Sequence, residues 1–382
     1  MKIVVAPGTF KESLSARDAA TAIAAGVRDA KPDADVVCVP MADGGEGTVE
    51  ALVSATGGRY VECEVTGPLG DRVPARFGML GDGGTAVIEM ASASGLSLVA
   101  PGKRNPLVAT TFGTGELIRA ALDRGVRKIL IGIGGSATVD GGEGVARALG
   151  ARLLDDKGRE LPPGGGALVN LDRIDTSGMD ARVKSRRVEV EVACDVDNPL
   201  TGPTGAAQVY GPQKGASAQD VHVLDAGLVR WAEVIRRDLG VDVRGIPGGG
   251  AAGGLGVGLV AFMGGRLISG VQMVLKAVDL AGKMQGASLV ITGEGRVDRQ
   301  SAYGKTPVGV GEIAAKLGVP AVVIAGSVGE GAEEVLSRGI DAYFTILSGP
   351  VTLEQAIRET PESLRRCAGQ VMRLFLAGRE KG

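Results

Sequence analysis

A single histidine, His222, in 382 residues excludes any metal centre built from several imidazoles. Near Asp220 in a polar, helix-like stretch, it reads as solvated. The four cysteines, Cys38, Cys63, Cys194 and Cys367, lie far apart with no C-x-x-C pair, which argues against a disulfide framework and against a zinc site. Aromatic residues are scarce, with six Phe, four Tyr and one Trp, so the core must be aliphatic. Neither sign of charge dominates: Lys and Arg total 42 against 44 Asp and Glu, and a net charge of -2 gives no electrostatic reason to expect nucleic acid or anionic lipid. Long apolar runs are also missing. The first run, Ile3 to Ala6, ends at Pro7-Gly8 and is no signal-peptide core, and the stretch from Ala251 to Gly265 is too short and glycine-rich to span a bilayer. The expectation is a cytoplasmic protein acting on small molecules, without nucleic-acid or membrane partners, as a monomer or small homo-oligomer.

What the chain has in excess is glycine, 63 residues without a collagen-like period. The glycines gather where apolar runs end, as backbone does when it turns sharply or approaches a ligand closely. Hydrophobic residues at 44% and charged residues at 23% suit a globular enzyme, and the length favours two domains. Residues 2–6 read as a buried strand, Ser15–Ala30 as a helix with Ala19, Ala20, Ile23 and Val27 on one face, and Asp35–Val39 as a second strand. Residues 59–100 alternate in short runs divided by Gly-Pro, Gly-Asp and Gly-Gly, which predicts hairpins. The α/β rhythm returns with a helix near Gly115–Gly125, a strand Lys128–Ile133 and a helix Val145–Gly150, followed by a strand Arg187–Ala193 and helical spacing from Ala218 past Trp231. Residues 164–180 read as loop, and 247–265 either as a glycine-bearing helix or as the backbone floor of a pocket. From Ala287 the chain alternates strand and helix to about Ala377, which implies parallel sheet. The fold class is therefore α/β, with a discontinuous parallel-sheet domain from residues 1–60 and 286–382 and a mixed-sheet domain, 61–285, inserted into it.

Ligands of open α/β sheets settle beyond the carboxyl ends of the strands, and here those ends carry charged glycine loops. They are Thr9–Ser13, Ala42–Gly47, Gly132–Thr138, Cys194–Asn198, Gly293–Asp298 and Tyr303–Thr306. The run GIGGSAT precedes a helical stretch, so bare N–H groups at Gly134, Gly135 and Ser136 suit phosphate at a helix N-terminus. It also fits G-x-G-x-x-A from Gly132, which raises a nicotinamide-dependent hydroxy-acid oxidoreductase as an alternative, with Asp155 or Asp156 near the ribose offset. YGKT ends like a Walker loop, yet Arg299 stands where its first glycine belongs, so Lys305 is at most a point charge for phosphate. CDVDN puts Asp195, Asp197 and Asn198 at one strand end, and GEGRVD puts Glu294, Arg296 and Asp298 at another. Carboxylates so clustered suggest Mg²⁺, a hydroxyl or a basic side chain between them, which with cations and backbone donors is what phosphoryl transfer needs.

Taken together, APGTFKESLSA, PMADGGEGT, GIGGSATVDGG, ACDVDNPLTGPTGAA, VYGPQKGA, GAAGGLG and LVITGEGRVDRQS resemble the type I glycerate kinase family from the first residues to about residue 348. That resemblance implies ATP- and Mg²⁺-dependent phosphorylation of D-glycerate to 2-phosphoglycerate, with the 3-hydroxyl as the alternative target. It also implies two α/β domains, one flavodoxin-like, with the active site in the cleft between them. The expected base is Asp195, with Asp197 or Asp298 nearer the metal, and Lys11 or Arg296 for the glycerate carboxylate. Ser13, Asp43, Gly44, Gly45, Gly134, Gly135, Ser136, Asn198, Glu294 and Lys305 are expected to line the substrate and nucleotide sites. The chain departs from the family's common PDSFKGSLSA in having Gly8 and Thr9 for Asp and Ser, and Glu12 for glycine; Val139 replaces a frequent asparagine. Only Lys11 and Ser13 therefore carry over from the first loop.

Overall fold

A computed structural model describes residues 1–380. The chain forms two compact units, one made of Met1–Asp43, Glu50–Gly57 and the chain from Val271 onward, the other of Gly44–Val49 and Gly58–Gly270. Among the described residues no helix is long and apolar enough to cross a membrane.

The first unit is built on five parallel strands, in the spatial order Ala342–Thr345, Ala321–Val328, Leu289–Val297, Lys2–Pro7 and Asp35–Cys38. Ile3, Val4, Val5 and Ala6 have no solvent exposure, as expected of a strand covered on both faces, and burying each larger aliphatic side chain contributes about 1.5–3 kcal/mol. Helix Ala16–Ala30 starts at Ser15, whose hydroxyl accepts from the Asp18 N–H, and it buries Ala19, Ala20, Ile23 and Val27. Its Gly26 meets the long helix Leu353–Glu380 so closely that a Cβ would strike the Arg365 carbonyl.

That long helix contains Pro361, which has no N–H to give the Ile357 carbonyl four residues earlier. The Ser13 hydroxyl donates to that carbonyl at 3.0 Å. A proline that would otherwise break the helix is thus accommodated by a side chain from the first loop. Residues 332–338, expected to be an α-helix, instead form a 3₁₀ stretch between two left-handed glycines, Gly331 and Gly339.

The main sheet of the second unit has six strands in the order Arg266–Ile268, Glu189–Ala193, Lys128–Gly132, Thr85–Glu89, Arg72–Met79 and Arg59–Thr66. The first four are parallel, and the last two join antiparallel as the predicted hairpins, which makes the sheet mixed. Residues 164–180, read as loop, hold a 3₁₀ turn Gly165–Asn170 and a strand Arg173–Asp175 paired with Arg152–Leu154. Trp231, fully buried in helix Ala218–Leu239, stacks on Phe262 at 5.6 Å and donates its indole N–H to the Gly141 carbonyl at 2.9 Å. Both readings of 247–265 hold in part. Leu255–Met263 is a helix whose Gly258 lies against Gly141, and the preceding turn brings Gly253 against the Thr138 carbonyl, under the GIGGSAT loop.

Candidate active site

In the second unit the loops after three parallel strands come together. Gly44 has φ +88°, and a Cβ on it would collide with Ala193 and lie 3.0 Å from the Gly270 Cα. A Cβ on Gly132 would strike the Gly44 carbonyl, and one on Gly134 would lie 3.7 Å from the Gly45 Cα. Only glycine permits backbones to approach as closely as at Gly44 and Gly132, and the left-handed φ of +75° favours glycine at Gly135, whereas the 3.7 Å at Gly134 is ordinary contact. Two residues beyond Ala193, the exposed Asp195 carboxylate accepts from the Gly270 N–H at 3.0 Å. The structure thus brings Gly44, Gly45, Gly134, Gly135 and Asp195 into one neighbourhood at the carboxyl ends of parallel strands. Asp197 is exposed beside them in sequence. Asn198 is committed to the loop itself, giving its amide to the Thr204 carbonyl at 2.9 Å and taking the Tyr210 hydroxyl at 2.6 Å.

The helix N-terminus expected to cradle phosphate is already filled. Helix Glu143–Ala148 has only six residues, and the buried Asp140 carboxylate takes the N–H groups of Gly142 and Gly144, at 3.1 and 3.3 Å, together with the Thr111 N–H and hydroxyl, each at 2.8 Å. Burial raises the Asp140 pKa against these donors. Behind it, buried Glu143 pairs with Arg147 and accepts from the Gly164 N–H at 2.8 Å, and burial pushes its pKa up to about 7. The exposed backbone of the loop is therefore at Gly134 and Gly135, before the helix. The delay between glycine turn and helix also removes the dinucleotide geometry, and Asp155 spends its carboxylate on Arg159 and nearby backbone.

Ser136 turns inward. Its hydroxyl accepts from the Lys214 ammonium at 2.6 Å, and Lys214 also donates to the Thr138 carbonyl at 2.7 Å. Lys214 is 2% exposed, and desolvation pulls its pKa down to about 7, opposed by the nearby Asp140 charge. Nothing local signals its burial: in GPQKGA a lysine among turn residues reads as surface. Glu89, at the end of strand Thr85–Glu89, was also missed. It accepts from the Val49 N–H at 2.8 Å, and burial raises its pKa.

In the first unit a second polar cluster lies where strand Lys2–Pro7 ends. Gly8 donates to the Gly293 carbonyl at 2.8 Å, but the neighbouring strand does not stop there. Gly293–Val297, expected to be loop, continues the 289–297 strand, paired with Ala321–Val328 through Val297 and Val328. Glu294 and Arg296 are therefore strand residues, and the Lys11 backbone lies against Gly295. Arg296 is exposed and paired with Asp298 at 3.3 Å. Asp298, expected near the metal, has both oxygens engaged: one in that ion pair, the other accepting from the Gln300 N–H at 3.0 Å as the cap of a 3₁₀ turn.

Glu294 is different. One carboxylate oxygen, Oε1, is buried without a hydrogen-bond partner. Burial raises its pKa, eased by the Ser301 hydroxyl and the Lys305 charge and reinforced by Asp298 and Asp43. Lys305 is half-buried at the start of helix Thr306–Lys316, whose first turn has no side-chain cap, so lysine and helix dipole offer positive charge together. Lys11 and Asp43 are exposed. Ser13, expected to contact a ligand, instead supports the long helix as described above. Glu12, in the place where the family commonly has glycine, has φ 65°, a left-handed conformation that suits glycine.

Comparison with known proteins bears on the family and the fold. The sequence pattern described as the glycerate kinase family matches residues 3–376. A glycerate kinase of Bacillus subtilis strain 168 is 55% identical over 371 residues, covering 97% of each chain. A glycerate 2-kinase of Escherichia coli K12 is 50% identical over 378 residues, covering 99% of each. Among solved structures, one from Salmonella typhimurium LT2, provisionally assigned as glycerate kinase 2, superposes with a TM-score of 0.92 at 52% identity, over 100% of this chain and 99% of that one.

Proposed function

Because this chain belongs to the glycerate kinase family, we propose that it transfers the terminal phosphoryl group of ATP, with Mg²⁺, to the 2-hydroxyl of D-glycerate, yielding 2-phosphoglycerate and ADP. The observation that carries the choice of hydroxyl is the 50% identity, across 99% of the chain, to a protein named for 2-kinase activity.

The chemistry asks for a proton acceptor, fixed positive charge and backbone donors. Asp195 is the proton acceptor: it takes the proton of the 2-hydroxyl as that oxygen bonds to the γ-phosphorus and the bond to the β–γ bridging oxygen breaks, its electron pair leaving with ADP. The Gly270 N–H holds the carboxylate in place. Exposed N–H groups at Gly134 and Gly135, freed from side-chain bulk, meet oxyanion oxygens. Lys305, at an uncapped helix start, supplies a point charge for phosphate.

Among the described residues no group of three or more His, Cys, Asp or Glu is placed to cage a metal. Kinase Mg²⁺ is commonly held by one or two carboxylates together with the nucleotide's own phosphates, so single carboxylates suffice. Glu294 fits, because its buried Oε1 lacks a partner, and the exposed Asp197 fits as well. When bound, Mg²⁺ would neutralise charge on the transferring phosphate. Incubation with D-glycerate, ATP and Mg²⁺ should release ADP only when all three are present. ADP release indifferent to glycerate would overturn the reading.

A further inference from the structure

Arg104 is a half-buried arginine whose Nε is buried with no hydrogen-bond partner. Its Nη1 donates to the Gln213 carbonyl at 3.1 Å, and among the described residues no carboxylate pairs with it. Leaving a charged group's N–H buried and unsatisfied is costly, and structures retain such a group where something else completes it.

The segment carrying Arg104 is fastened to the glycine loop at both ends. At its start the Leu96 N–H donates to the Gly135 carbonyl at 2.8 Å, and the Ser94 carbonyl accepts from the Ala137 N–H at 2.9 Å. At its end Arg104 packs on the 213–215 turn so tightly that a Cβ on Gly215 would lie 2.6 Å from the Arg104 carbonyl oxygen. That turn carries Lys214, which holds Ser136 and Thr138 of the same loop. Thr138 adds a second buried polar atom without a partner, its hydroxyl oxygen. With Nη1 spent on Gln213, the edge formed by Nε and Nη2 remains, and that edge matches the two oxygens of a carboxylate.

We propose that Arg104 binds the carboxylate of the hydroxy-acid substrate through this edge, in place of Lys11 or Arg296. The inference rests on the proposed function, which supplies an anionic substrate. Arg296 already has Asp298 at 3.3 Å and a side chain 65% exposed, and Lys11 is an exposed point charge without a fork. A phosphate of the nucleotide shares the same oxyanion chemistry, and the test separates the two.

Steady-state kinetics of Arg104→Met and Arg104→Lys should be compared with the unaltered protein, varying D-glycerate and ATP separately. Arg104→Met should raise the KM for glycerate about 100-fold, as expected for losing charge-assisted hydrogen bonds, with the KM for ATP within about twofold. Arg104→Lys, which keeps the charge and loses the fork, should fall between. Glyceramide, with the same shape but no carboxylate, supplies a readout that a structural role would not move: the preference for glycerate over glyceramide should collapse in Arg104→Met. An unchanged glycerate KM, a rise in the ATP KM instead, or an intact preference for glycerate in whichever variant folds would overturn the assignment. If the unaltered protein itself fails to phosphorylate glycerate, the proposed function fails and this inference with it.

Discussion

Replacing Lys214 by methionine should change how stability depends on pH, and the size of the change follows from burial. The ammonium has three N–H groups but two partners, Ser136 Oγ at 2.6 Å and the Thr138 carbonyl at 2.7 Å. A neutral amine serves both acceptors equally well, which agrees with a pKa pulled from 10.5 to about 7 by desolvation. At about 1.4 kcal/mol per pKa unit, the drop corresponds to about 5 kcal/mol. The sign follows from proton binding: between pH 7 and 10.5 the unfolded chain holds a proton on Lys214 that the folded one has released. Stability from this residue therefore rises with pH across that window and is flat below it. Methionine has no such titration. Near pH 7 the variant loses the donor to the Ser136 hydroxyl and Thr138 carbonyl, a cost of about 1–3 kcal/mol, but is also relieved of the lysine's desolvation cost. Urea unfolding of both proteins at intervals from pH 6.5 to 10.5 measures this, because titrations common to both cancel in the difference. The stability of the unaltered protein minus that of the variant should rise steadily above pH 7, by several kcal/mol at the alkaline end. Parallel curves would show that Lys214 is not buried as described.

The same reasoning reaches other positions. Ser13→Ala should cost about 1 kcal/mol by orphaning the Ile357 carbonyl, and most of that cost should vanish in a Pro361→Ala background, where a backbone N–H returns; a double-mutant cycle in urea reads the coupling. Additive costs would refute the link between serine and proline. Glu12→Gly should stabilise the protein by about 0.5–1 kcal/mol by relieving a left-handed side-chain-bearing residue, seen as a higher urea midpoint; no gain would mean that this φ carries no strain. Asp195→Asn should lower kcat by about 10²–10⁴ while leaving the unfolding midpoint within about 0.5 kcal/mol, and near-normal turnover would remove it from proton transfer.

Strand and helix were legible where apolar spacing was strong. Ile3–Ala6 and Ala321–Ala325 are buried runs, and Ala19, Ala20, Ile23 and Val27 face the core as their spacing implied. Legibility failed where partners distant in sequence decide the outcome. Glycine, glutamate and arginine in GEGRV have little strand preference, yet pairing of Glu294 with Ala325 and of Val297 with Val328 holds them extended. The last helix was legible through Pro361, but not the hydroxyl from residue 13 that satisfies the carbonyl the proline orphans. The glycines of the site were visible as clusters, and close backbone approach at Gly44 and Gly132 or a left-handed φ at Gly135 accounts for three of them. Lys214 and Arg104 were invisible for the converse reason: nothing local distinguishes a buried cation from an exposed one until the turn at 213–215 is seen against its neighbours. Asp140, just after the glycine loop, is spent on the backbone there, and nothing local in the sequence signals it.

The most direct test of phosphoryl transfer to the 2-hydroxyl is the proton-coupled phosphorus-31 spectrum of the product formed from D-glycerate, ATP and Mg²⁺. Phosphate on the secondary carbon neighbours a single C–H and should give a doublet. A triplet, from phosphate on the CH₂ group, would contradict the assignment, as would a spectrum with no new ester resonance at all.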